Sequence, residues 1–132
     1  VDVNHPDEIS TLFDPSIVYA KGGRLLRMLQ FWLGTDAMQA GLRDYFSTYA
    51  YQNTVADDLW KCLEKASGKP VADVMHSWIT QPGYPIVTAR RIDDSTIELT
   101  QEQFFIGAHK NSDRLWKIPL AVRGADTSLL MT

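Results

Sequence analysis

The chain has 132 residues, 45% of them hydrophobic and 22% charged, with 13 basic against 16 acidic side chains and a formal charge of −3. That length fits one ordinary domain or two small units, and the composition excludes global disorder. The lack of any basic block excludes a nucleic-acid or anionic-membrane footprint, and no run of about 18 apolar residues offers a membrane span.

The chain starts Val1-Asp2-Val3-Asn4-His5, with neither an initiator Met nor the shape of a signal peptide, as expected of a piece of a longer protein. A first helix is predicted from Pro15 or Ser16, with Asp14 as its N-cap and Pro15 at the position where a missing N–H costs nothing. Val18, Leu25, Leu29 and Trp32 form one apolar stripe, flanked by Tyr19, Leu26 and Leu33, and Gly34 supplies a left-handed stop. Gly22 and Gly23 are poor helix formers, so their expected use is close approach of another backbone.

A second helix is predicted with Asp36 and Gln39 as a capping box and Met38, Leu42, Tyr45, Phe46 and Tyr49 on its apolar face. Thr54, with Asp57 three residues on, is the expected N-cap of a third helix lined by Leu59, Trp60, Leu63 and Ala66 and closed by Gly68. Pro70 opens a fourth, with Val71, Val74, Met75, Trp78 and Ile79 on its buried side. Gln81-Pro82-Gly83-Tyr84-Pro85 must end it.

Beyond that break the period changes from helical to alternating. Residues 86–92 and 96–105 read as a hairpin around Asp93-Asp94-Ser95. A loop at 107–113 precedes a third strand at 115–122, and a turn at 124–127 precedes a fourth at 128–131. The expected class is α+β: a helical unit over residues 1–84, then partial antiparallel β-sandwich strands over 85–132. Few strands leave open edges, which predicts self-association of the chain.

Metal chemistry finds no support in the spacing. His5, His76 and His109 are isolated, H-E-x-x-H does not occur, and Cys62 has no partner at ligand distance along the chain. His76 is expected on the outer face of the fourth helix, and His5 and His109 in loops. No nucleophile elbow or phosphate loop is present. Asp57-Asp58 and Asp93-Asp94 read as a helix N-terminal pair and a turn. The single cysteine cannot form an internal disulfide, which fits a reducing compartment.

Tyr19 is the residue best placed for chemistry. A phenol near a helix N-terminus stays protonated at neutral pH and can donate a hydrogen bond to developing negative charge. The alternative is a Tyr buried beside Leu26.

Tyr19-Ala20-Lys21-Gly22 matches a Y-x-K-G motif. It stands in order with Glu8-Ile9, Phe13-Asp14, Arg27-Met28-Leu29, Trp32-Leu33-Gly34, Gly41-Leu42, Tyr45-Phe46, Asp58-Leu59-Trp60 and residues 78–85. Trp116, Ile118 and Pro119 extend the match into the strand region. This ordered set resembles the zinc aminopeptidases of the aminopeptidase N family, in particular their lactic acid bacterial branch. The resemblance implies the C-terminal helical part of a thermolysin-like catalytic domain, followed by the opening strands of a small β-sandwich domain. It implies a parent enzyme that binds one Zn2+ and removes N-terminal residues from peptide substrates, with Tyr19 donating to the oxyanion of the tetrahedral intermediate. The family's H-E-x-x-H helix, its more distant Glu ligand and its G-x-M-E-N segment have no counterpart here, so the zinc ligands are not in this chain and the piece alone is expected to be inactive. Lys21, Gly22 and Gly23 are assigned to helix structure and packing. The absent disulfide and bacterial look imply a cytoplasmic parent. The competing expectation is a non-catalytic interaction module, a helical bundle with a β extension and a structural Tyr19.

Overall fold

Asp14 sets the start of the first helical segment as expected: its Oδ1 accepts the Ser16 N–H at 2.8 Å and its carbonyl accepts the Val18 N–H at 2.9 Å. The computed structural model describes residues 5–8, 14–108, 112–120 and 129–132. The helix does not run as one α-helix. Ser16–Lys21 is wound as a π-helical turn, and α1 (Gly22–Leu33) follows without a break. A π turn holds more residues than the 3.6 of an α turn, so residues before it are rotated relative to those after it. The predicted stripe breaks at this point. Leu25, Leu29, Trp32 and Leu33 are buried, whereas Val18 is 41% exposed and Leu26 is 43% exposed.

Gly34 ends α1 with φ 86° and ψ 159°, a positive-φ conformation open to glycine but more extended than the left-handed stop expected. Its carbonyl accepts the Met38 N–H at 3.1 Å, so the same residue also opens α2 (Thr35–Thr48). Asp36 therefore lies inside the first turn and is not the N-cap. The second apolar face is only partly buried: Tyr45 and Tyr49 are half-covered, and Phe46 is 68% exposed.

The close helix contact falls on Gly41, whereas Gly23 of the predicted pair is open. A Cβ built on Gly41 would stand 2.7 Å from Leu63 Cδ2 and 3.0 Å from Leu63 Cα, while one on Gly23 would meet nothing within 4 Å. Gly23 is exposed, so its backbone faces no neighbour.

Helix α3 (Ala56–Ser67) begins one residue later than expected. Val55 is its N-cap residue, and Asp58 Oδ2 accepts the Val55 N–H at 3.1 Å. Thr54 turns its hydroxyl to the Tyr45 hydroxyl at 2.7 Å instead. Gly68 closes α3 in the left-handed conformation, φ 68° and ψ 13°. Pro70 stands at the start of α4 (Val71–Ile79), whose Ala72 N–H is met by Glu64 Oε1 at 3.0 Å.

The core joins Leu25, Leu29, Trp32 and Leu33 of α1 to Trp60 and Leu63 of α3 and to Val71, Val74 and Met75 of α4. Trp78 is half-buried, and Ile79, expected inside, is exposed because α4 ends there.

The predicted hairpin is present. Strand β1 (Pro85–Arg91) pairs antiparallel with β2 (Ile97–Gln103), with Pro85 opposite Gln103 and Arg91 opposite Ile97. Asp93 Oδ1 accepts the Ser95 N–H at 2.8 Å and its hydroxyl at 2.9 Å, shaping the turn. Strand β3 (Ile118–Pro119) pairs with β4 (Leu130–Met131) as a separate two-stranded sheet. The predicted third strand starts later than residue 115 because the preceding backbone is engaged elsewhere. Gln101 brackets Trp116 through both of its amide atoms, at 2.8 and 2.9 Å, and Ser77 Oγ accepts the Lys117 N–H at 3.0 Å. The Trp78 indole donates to the Lys117 carbonyl at 2.9 Å. Trp116 itself is fully buried, its ring centroid 6.4 Å from that of Trp78. The loop positions 109–111 and the predicted turn at 124–127 lie outside the described residues. The class is α+β: among the described residues, four α-helices precede two small antiparallel sheets.

Candidate functional site

Tyr19 sits in the middle of the π turn and is 72% exposed. The alternative of a side chain buried beside Leu26 does not hold, since both residues reach solvent. π turns are rare insertions found frequently at functional sites, and this one changes which way the chain before α1 faces. Lys21 and Gly22, next in the motif, are half-buried at the junction with α1.

The remaining titratable candidates are dispersed. His5 Nδ1 lies 3.4 Å from an Asp7 carboxylate oxygen at an exposed turn. His76 is on the outer face of α4 as expected, with Nε2 2.9 Å from Asp57 Oδ1. His109 lies outside the described residues. Cys62 is buried, and burial, followed by the nearby Asp44 charge, pushes its thiol pKa up. Asp58 serves the α3 cap and Asp93 the hairpin turn. Among the described residues, no three His, Cys, Asp or Glu side chains come together to hold a metal ion. These residues do not fit a zinc site. Among the described residues, no helix is long and apolar enough to cross a membrane.

One assembly was not anticipated from spacing. The Ser16, Ala20, Lys21 and Arg24 face of the first helical segment stands across from Trp78, Pro82, Gly83 and Tyr84, bordering a solvent-open cavity of about 620 Å³. The individual residues were visible in the sequence, but their meeting depends on how α4 returns past α1. The only sequence signal was the proline-glycine break itself, where Gly83 adopts φ 88°.

Residues 1–78 match the model of the peptidase family M1 domain. The chain belongs to that family. Over 120 residues it is 58% identical to aminopeptidase N of Lactococcus lactis subsp. lactis (strain IL1403), covering 91% of this chain and 14% of that relative. It is 48% identical over 120 residues to aminopeptidase N of Lactobacillus delbrueckii subsp. lactis, with the same coverage of 91% and 14%. A more distant relative, the tricorn protease-interacting factor F2 of Thermoplasma volcanium (strain ATCC 51530), is 42% identical over 134 residues, 99% of this chain and 17% of its own length. The chain thus spans about one seventh of the length of the lactic acid bacterial relatives it matches.

Proposed function

We propose that this chain is part of an aminopeptidase that removes N-terminal residues from peptides, and that Tyr19 is its oxyanion donor. The observation that carries the reading is the exposure of Tyr19 on a π turn, inside a Y-x-K-G motif, in a chain of the M1 family. A solvent-facing phenol on a helical scaffold can donate to an oxygen that becomes anionic as a peptide carbonyl is attacked. Such a donor acts selectively on the transition state, because the charge it meets does not exist in the bound substrate. Zinc, implied by the resemblance, would be held by other residues of the longer protein. The role proposed for this chain is limited to Tyr19 and the helix that positions it. By itself the chain would not hydrolyse a peptide.

The helical residues up to about 84 would then belong to the catalytic domain and the strands from about 85 to the domain after it. A cytoplasmic location agrees with a lone buried cysteine.

The test is Tyr19→Phe in the full-length enzyme, assayed on an amino-acid anilide. Loss of one oxyanion donor lowers kcat by about 10²–10³ with KM little changed. An unchanged kcat removes the catalytic assignment. The 132-residue chain alone serves as the blank, and hydrolysis by it would contradict the division of labour proposed.

A further inference from the structure

The cavity beside the π turn has a chemical character of its own, independent of the role given to Tyr19. Lys21 and Arg24 are three residues apart on one helix and line the same wall. Among the described residues, several basic side chains meet carboxylates, as Lys65 does Asp44, Arg90 Glu98, Arg91 Asp94 and Lys117 Asp73. Among the described residues, Lys21 and Arg24 have no acidic partner. Two like charges at this spacing repel, so an anion placed between them is favoured twice over.

Apart from the hydroxyls of Ser16 and Tyr84, the rest of the lining is apolar, and three of its side chains are held in place. Leu25 is buried, and the Trp78 ring is fixed by its indole hydrogen bond to the Lys117 carbonyl. The Tyr84 ring stacks on Phe104, with centroids 4.9 Å apart and planes 17° from parallel. A volume of about 620 Å³ is within the range of small-ligand sites, which combine apolar walls with a few charged or polar groups.

We infer that this cavity binds a carboxylate carried on an aromatic or branched aliphatic body. The carboxylate lies at Lys21 and Arg24, and the body lies against Trp78 and Tyr84. The C-terminal residue of a short peptide and a free aryl or alkyl acid share this chemistry.

The probes are 3-phenylpropionate, its uncharged amide 3-phenylpropionamide, and N-acetyl-L-phenylalanine. They are titrated into the 132-residue chain while the backbone amides of Gly83 and Tyr84 and the Trp78 indole N–H are followed by NMR. Saturable shifts at these three groups with 3-phenylpropionate are expected, with affinity at least tenfold weaker for the amide. The double substitution Lys21→Ala/Arg24→Ala is expected to weaken 3-phenylpropionate at least tenfold while leaving the remaining amide spectrum in place. Tighter binding of N-acetyl-L-phenylalanine than of 3-phenylpropionate identifies the peptide C-terminus as the source, and weaker or equal binding identifies the free acid. Absent saturation, equal binding of acid and amide, or undiminished affinity in the double variant overturns the inference. A collapsed spectrum in that variant transfers the decision to Arg24→Gln, which removes one charge from a position at the solvent-facing rim.

Discussion

Gly41 lies where the surfaces of α2 and α3 meet, and a single methyl there has nowhere to go. Alanine would press on both the side chain and the Cα of Leu63, and the backbone atom cannot swing aside. Gly41→Ala is expected to cost about 1–3 kcal/mol, the usual penalty for overpacking, as a lowered midpoint in urea unfolding. Gly23→Ala is expected to do the reverse, adding about 0.5–1 kcal/mol, because the position is helical and open. Equal effects from the two substitutions would contradict this account. The sequence pattern pointed to Gly22-Gly23 because adjacent glycines are conspicuous in a helix. A lone glycine on a packed face looks like any other small residue until the partner helix is known. The π winding around Tyr19 was equally hidden, since a seven-residue spacing to Leu26 reads as two turns of an ordinary α-helix.

At the level of elements, local chemistry left clear marks, and most segment ends fall within one or two residues of expectation. The exceptions have physical causes. Thr54 looked like the α3 cap because a hydroxyl commonly fills that place, but Tyr45 takes its hydroxyl and Asp58 holds the Val55 N–H. Asp58→Ala is therefore expected to cost about 0.5–2 kcal/mol, the range for losing a cap, while Thr54→Ala stays within about 0.5 kcal/mol. Thermal unfolding of both variants decides it, and the opposite ranking would return the cap to Thr54. The π turn had no signature in composition, because winding is set by how the whole segment sits on its neighbours.

The hairpin turn carries a pH dependence. Hydrogen bonds from Ser95, first its N–H and then its hydroxyl, with a further one from Thr96, hold the Asp93 carboxyl below its ordinary pKa. Its contribution to the turn is complete above the unfolded-state pKa and is lost as pH falls through the lower folded value. An NMR titration should find the Asp93 carboxyl midpoint below that of an unstructured peptide spanning residues 91–97, with the Ser95 amide moving at the same pH. Coincident midpoints for chain and peptide would contradict it.

For the whole molecule, the order of helices then strands was legible from the change of period near Pro82, and the buried residues of α3 and α4 largely followed their spacing. The joining of the two parts was not. It rests on Trp116, Lys117 and Gln101 reaching across the chain, and side-chain brackets of that kind have no periodicity to read. The hairpin keeps both outer edges unpaired among the described residues and leaves Ile86, Val87 and Ile97 exposed. Sedimentation velocity should show a mass average rising with concentration, with Val87→Lys shifting the population towards monomer. A concentration-independent monomer would show that these edges are adequately shielded.

A corner of one residue joins α1 to α2, and it permits little independent movement. Gly34 closes one helix and opens the next with no slack between them, while α2 is locked to α3 through the bare face of Gly41. One junction thus serves both helices, and a substitution at Gly34 bears on the end of α1 and the start of α2 at once.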